Sequence, residues 1–264
     1  MVVLIGKRTI RLLMLTLLIL GLVIGATYYS VSRAAKASPV EDWLRNGHIV
    51  KQIATNNKVL SLTFDDGPSS TYTPQILDIL EKQGVKATFF VVGKRAETHP
   101  EIIKRMAKAG HELANHTYNH PLTQVKPDIL VKELAMTKRI IFDLTGQNTN
   151  YFRPPGGKCT KATIEPALSN GYQVILWTAS EDPKDWSNPG VEKIVSRVVD
   201  NVRNGSIIIL HDYGGDRTQT IDALPIILKE LQSQGYRFVT ISQLLKEGKT
   251  IPAIEKFRME NWVE

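Results

Sequence analysis

Seven short apolar runs, alternating with amphipathic stretches, constrain this chain more than any other feature. The runs are residues 59–64, 87–92, 112–115, 150–152, 173–177, 206–210 and 237–240. Short apolar runs bounded by turn residues read as buried strands. Between them, 73–83, 101–109, 127–144, 160–169, 191–202 and 219–234 carry apolar residues at helical spacing, clearest in Leu130, Leu134, Thr137, Ile141 and Leu144. Strand-then-helix repetition implies a parallel sheet, because parallel neighbours need crossover connections. The expected fold is α/β, a distorted (β/α) barrel of about seven parallel strands, with an open doubly wound sheet as the alternative.

Ahead of this body, residues 12–29 contain no charge, and Lys7, Arg8 and Arg11 precede them. Eighteen helical residues span about 27 Å, close to a bilayer core of about 30 Å. The basic flank favours an N-terminus inside and a body outside the cytoplasm. A cleaved signal peptide ending near Ala35-Lys36-Ala37 competes, but its apolar region is usually only about 7–15 residues long. An uncleaved transmembrane helix is the favoured reading, and both place the body outside. The chain thus divides into a membrane anchor or signal segment (1–37), a polar linker (38–57), one α/β domain (58–246) and a charged tail (247–264).

The formal net charge of +7 is concentrated at the front: residues 1–37 hold five basic residues and no acid, leaving 28 basic and 26 acidic residues for the rest. That is no nucleic-acid footprint. Cys159 is the single cysteine, so no internal disulfide can form.

In a parallel barrel, chemistry collects where strands end and the following loops begin. Five of the seven strand ends carry ionisable groups there: Asp65-Asp66, His116 with His120, Arg153, Asp182 with Asp185, and His211-Asp212. Adjacent carboxylates repel each other and lose hydration on burial, so Asp65 and Asp66 need a cation opposite. A metal held by one of them leaves the other free for proton transfer. His116 and His120 stand at i and i+4, and on one helical turn both rings would face one ion. Two imidazoles and a carboxylate form a facial set with positions left open. His211 ends an apolar run and needs a partner, which Asp185 could supply, favouring the imidazolium. Arg153 could steady an acidic residue of the site, while His111 reads as structural.

These residues, in this order, resemble the five motifs of the polysaccharide deacetylases, the NodB-homology domain of carbohydrate esterase family 4. The motifs are Thr63-Phe64-Asp65-Asp66-Gly67, His116-Thr117-Tyr118-Asn119-His120, Arg153-Pro154-Pro155, Asp182-Pro183-Lys184-Asp185-Trp186 and Leu210-His211. The resemblance covers roughly residues 59–245 and implies a distorted (β/α) barrel. It implies Asp66, His116 and His120 as metal ligands and Asp65 as general base, a choice that spacing left open. It further implies Arg153 as the base's orienting partner, Asp185 as the acid tuning His211, and His211 as proton donor. By the same resemblance Pro155 and Gly156 would lie in the substrate groove, with the Gly156 N–H facing the oxyanion, and Trp186 and Leu210 would line the acetyl pocket. Gly156 departs from the family, which often has an aromatic residue there, and removes a ring from the groove.

The implied activity is metal-dependent hydrolysis of N-acetyl groups on a cell-wall glycan, peptidoglycan N-acetylglucosamine first. Zinc is the default ion for a His/Asp site, with cobalt, manganese and nickel as alternatives. Other readings are a deacetylase of a chitin-like or surface N-acetylglucosamine polymer, an O-acetyl xylan esterase, a small-molecule amidohydrolase, and an inactive glycan-binding module. The sequence leaves the oligomeric state open.

Overall fold

The computed structural model describes residues 6–34, 39–123 and 125–250. It divides at residues 42/43 into an N-terminal unit and a body.

The N-terminal unit holds helix α1 (Lys7–Ala34). Its stretch Arg11–Ser30 is long and apolar enough to cross a membrane, with exposed leucines and isoleucines along it. The hydroxyls of Thr16, Thr27 and Ser30 are satisfied inside the helix. Thr16 donates to the Leu13 carbonyl at 2.8 Å, Thr27 to Val23 and Ile24 at 2.9 Å, and Ser30 to Ala26 at 2.8 Å. Such back-bonding removes the need for water. The helix is compatible with a signal anchor or a signal peptide.

Helix α2 (Pro39–Arg45) is followed by the body's elements: β1 (Ile49–Val50), β2 (Ile53–Ala54), β3 (Val59–Asp65), α3 (Tyr72–Lys82), β4 (Thr88–Val91), α4 (Gly93–Thr98), α5 (Pro100–Lys108), β5 (Glu112–Asn115), α6 (Pro127–Thr145), β6 (Tyr151–Phe152), α7 (Lys161–Ser169), β7 (Gln173–Ile175), α8 (Val191–Val199), β8 (Ile207–His211), α9 (Thr218–Ser233), β9 (Arg237–Phe238), α10 (Ile241–Leu244) and β10 (Lys249–Thr250). The strands run β1-β7-β6-β5-β4-β3-β8, all parallel, as a curled seven-strand half-barrel. β3 is buried along its whole length. Its outward apolar side chains, Leu60, Leu62 and Phe64, pack with the buried stripes of α3 (Ile76, Leu77, Leu80) and α9 (Leu224, Ile227, Leu228, Leu231). This is the two-sided burial that makes parallel strands read as continuous apolar runs.

Six of the seven expected strands enter the half-barrel. The seventh, expected over 237–240, is the two-residue β9, which pairs only with the start of β3 at Val59 and Leu60. The seventh place is taken by β1, which the sequence reading put inside the linker. Ile49 and Val50 pair in parallel with Val174 and Ile175 and are buried with Leu44 and Ile53. Two residues are too few to show a period, and the polar neighbours His48, Lys51 and Gln52 hid them. Likewise β10, expected to lie in the tail, pairs antiparallel with β2; residues 251–264 lie outside the described ones.

The half-barrel's open side is joined by loop contacts. Thr178 N–H donates to the Ile207 carbonyl at 2.9 Å, and Ile207 N–H donates to Thr178 Oγ1 at 3.0 Å. Gly205, at φ +78°, receives Ile53 against its backbone; a Cβ there would lie 1.8 Å from the Ile53 carbonyl oxygen. Gly205→Ala is therefore expected to destabilise the body by at least about 2 kcal/mol, from φ strain plus displaced backbone. Urea unfolding of both proteins measures it; a midpoint equal to wild type would contradict this close approach.

Candidate active site

The C-terminal ends of β3 and β8 lie side by side, with Asp65 paired in register to His211 and Phe64 to Leu210. Asp65 is the last residue of its strand and is 3% exposed. Asp66 follows at φ +76°, so the chain turns left-handed between the two carboxylates and sends them different ways.

Arg153 explains why Asp65 can be buried. It is fully buried itself, at 0% exposure, and donates from Nη1 to Asp65 Oδ1 at 2.6 Å and to Thr63 Oγ1 at 2.8 Å. Its Nε and Nη2 reach the carbonyls of Ile175 and Leu176 at 3.0 and 2.9 Å, and its guanidinium lies 3.9 Å from the Phe90 ring centroid. A guanidinium with that many fixed acceptors holds one carboxylate oxygen rigidly and leaves the other free.

The two histidines sit on a loop after β5, not on the helical turn that their i, i+4 spacing suggested. Thr117 and His120 have positive φ (67° and 57°). Asn115 Oδ1 accepts the Thr117 N–H at 2.9 Å, and Thr117 Oγ1 accepts the His120 N–H at 3.1 Å. Glu133 of α6 clamps the loop from below, accepting Tyr118 N–H and Asn119 N–H at 2.9 and 2.6 Å and the Asn119 side-chain amide at 2.6 Å. The rings end 4.9 Å apart. Their Nε2 atoms lie 3.2 Å (His116) and 2.9 Å (His120) from Asp66 Oδ1. Burial opposes ionisation of Asp66, but the two imidazoles outweigh it and hold its carboxyl far below the ordinary range.

This donor set fits a divalent cation. One ligand atom from each of Asp66, His116 and His120 lies within 4.8 Å of the others. His116 Nδ1–H donates to the Arg153 carbonyl at 2.7 Å, which fixes the tautomer and turns the Nε2 lone pair inward. Three such donors around one ion would leave coordination positions open, the arrangement of a catalytic rather than a structural site.

His211 is held by Asp185. Its Nδ1–H donates to Asp185 Oδ1 at 2.7 Å, while Asp185 Oδ2 accepts the His211 N–H at 2.9 Å and the Thr220 hydroxyl at 2.8 Å. Arg217 Nη1 fixes the Asp185 carbonyl at 3.0 Å. Burial pushes the imidazole pKa down, but the Asp185 carboxylate, with Asp65 and Asp66 behind it, overrides this and pushes it up to about 9.

Next to it, Asp212 is 1% exposed and accepts the Thr73 hydroxyl at 2.6 Å. Burial pushes its carboxyl up to about 7. It packs on Gly67, where a Cβ would lie 2.1 Å from Asp212 Oδ2. Leu210 and Pro155 are buried, Gly156 is exposed at φ +61°, and Trp186 is 55% exposed. His111 is buried and accepts the Ala87 N–H at 3.1 Å, a structural use; burial pushes its pKa down to about 4.

Sequence reading missed Thr63, Thr220, Glu133 and Arg217, and gave Asp212 no role. Glu133 could have been found, because it lies between Leu130, Leu134 and Thr137 on the buried face of α6, where a lone carboxylate needs donors. Thr220 sits likewise on the buried face of α9, but a threonine there is unremarkable without Asp185 in view.

The family model described as polysaccharide deacetylase matches residues 52–175. Over 200 residues the chain is 44% identical to a peptidoglycan-N-acetylglucosamine deacetylase of Bacillus cereus, covering 76% of this chain and 94% of that relative. The crystal structure of Bc1960 peptidoglycan N-acetylglucosamine deacetylase, in complex with 4-naphthalen-1-yl-N-oxidanyl-benzamide, matches with a TM-score of 0.74 and 34% identity, over 81% of this chain and 100% of that one. A family 4 acetyl xylan esterase from Clostridium thermocellum, solved with a cobalt ion, matches at 0.66 and 35% identity over 75% and 97% of the two chains. The chain belongs to the polysaccharide deacetylase family, carbohydrate esterase family 4, whose metal-dependent enzymes hydrolyse acetyl groups from glycans.

Proposed function

We propose that this chain removes N-acetyl groups from peptidoglycan N-acetylglucosamine, outside the cytoplasm, with α1 as its membrane anchor. The observation that carries the reading is the pairing of Asp65 with His211 across β3 and β8, next to the Asp66–His116–His120 cluster. One is a carboxylate fixed by arginine and the other an imidazolium fixed by aspartate. The relative from Bacillus cereus acts on this glycan by name, and a body tethered outside a membrane meets the wall first.

Asp66, His116 and His120 would hold a divalent ion, zinc by donor chemistry, with cobalt, manganese or nickel as substitutes. When bound, such an ion supplies Lewis acidity that activates water and polarises an acyl oxygen. Asp65 takes the proton of the attacking water, its free Oδ2 lying 3.8 Å from His116 Nε2 on the cluster side. Arg153 keeps that carboxylate aimed. The Gly156 N–H donates to the oxygen that gains charge. His211 gives its proton to the sugar nitrogen as the C–N bond breaks, since an amide anion is too poor a leaving group. Trp186 and Leu210 wall the acetyl methyl. Water and the amide thus become acetate and a glucosamine unit.

The test is acetate release from wall glycan by the full chain in detergent, before and after chelation. Chelation should lower the rate more than about 100-fold, and zinc or cobalt should restore it. Undiminished turnover by metal-stripped protein would overturn the reading, as would a protein that binds the glycan and releases no acetate.

A further inference from the structure

The turn after β8 carries Tyr213, which none of the steps above uses. Its side chain is 39% exposed. The guanidinium of Arg95, on α4, lies 3.6 Å from its ring centroid. The same guanidinium donates from Nη1 to the Asp66 carbonyl at 2.6 Å. Arg95 therefore ties the ring to the turn that bears the carboxylate of the Asp66–His116–His120 cluster. The next residue, Gly214, faces the Asp66 carboxylate itself, since a Cβ built on it would lie 3.9 Å from Asp66 Oδ2. Two independent contacts thus put this turn against the cluster.

An aromatic ring left half-exposed contributes little to the core, yet this one is fixed in orientation. A cation stacked on one face leaves the other face and the edge for a ligand. Across the half-barrel, at the end of β6, Gly156 is exposed and has open space where a side chain would stand. A fixed ring thus follows β8 and bare backbone follows β6. The C–H face of a pyranose is apolar and slightly electropositive, and it complements the negative face of an aromatic ring. Ligand sites combine such aromatic surfaces with a few polar groups that set orientation.

We infer that Tyr213, held by Arg95, is the platform on which a pyranose ring of the glycan stacks beside the reacting acetamido sugar. Tyr213 is then a determinant of affinity for polymer over single sugars. The inference rests on the proposed glycan deacetylase function, deepening it to a subsite.

Calorimetric titration of the full chain in detergent with the β-1,4-linked N-acetylglucosamine tetramer tests it, using wild type, Tyr213→Ala and Tyr213→Phe. The alanine variant should bind about tenfold more weakly, and the phenylalanine variant within threefold of wild type. Binding by Tyr213→Ala within twofold of wild type overturns the inference. So does an equal loss in both variants, which would give the hydroxyl the role, and so does loss of bound zinc by Tyr213→Ala, which would make the ring a support of the cluster. Acetate release is read in the same samples. A wild type that binds through Tyr213 and releases no acetate ends the deacetylase reading and leaves the stacking intact. A wild type that does not bind the tetramer ends the stacking inference whatever its turnover.

Discussion

Asp65→Asn is expected to lower acetate release by about 10²–10⁴-fold, the usual worth of a positioned general base, while zinc still binds. The substitution keeps shape and keeps an oxygen for Arg153 Nη1, which now sits 2.6 Å from Asp65 Oδ1. What it removes is the charge and the basic oxygen on the cluster side. Asp66, His116 and His120 are untouched, so metal content measured on the purified variant should match wild type. Retained metal with lost turnover separates base from ligand, the one assignment that residue spacing left open. Turnover within tenfold of wild type would remove Asp65 from the mechanism. Loss of metal together with activity would instead make Asp65 a ligand.

The second large effect is on pH dependence. His211 must carry its proton to act as the acid, and its pKa is pushed up to about 9. Activity should therefore hold through neutral pH and fall as pH rises through about 9. Asp185→Asn takes away the charge that overrides burial. Burial then acts with less opposition, and the falling limb moves down towards or below the ordinary histidine value of about 6.5. At pH 8 the variant should lose about 10²-fold or more in kcat, with a smaller loss at lower pH. The measurement is kcat against pH for both proteins. Parallel profiles, equally depressed at every pH, would mean that Asp185 only supports structure.

Much of this site was legible because its residues end strands. The apolar runs 59–64 and 206–210 announce β3 and β8, and whatever stands just beyond them must face the same rim. Asp65, Asp66 and His211 could therefore be placed together without coordinates, as could Arg153 after Tyr151-Phe152. The i, i+4 spacing of His116 and His120 pointed to two neighbouring rings, which the chain does bring together, but by another conformation. Helical geometry would bring such rings together, but Thr117 and His120 do it with left-handed backbone, held by Asn115, Thr117 and Glu133. Asn115 and Thr117 stand beside His116, where a polar stretch does not announce its turn, and Glu133 reaches the loop from α6. Strand β1 was hidden for the opposite reason: its two residues are ordinary, and only pairing with β7 makes them a strand.

That pairing has a bearing on where the chain can be cut without harming the enzyme. Because Ile49 and Val50 cover the edge of β7, and Ile53 and Ala54 fasten the strand at Lys249–Thr250, the catalytic body begins upstream of β1. A protease that frees an intact enzyme has to cut between α1 and Ile49. Scission any later strips the sheet's outermost strand and leaves a bare backbone ladder, the surface on which soluble proteins stick to one another.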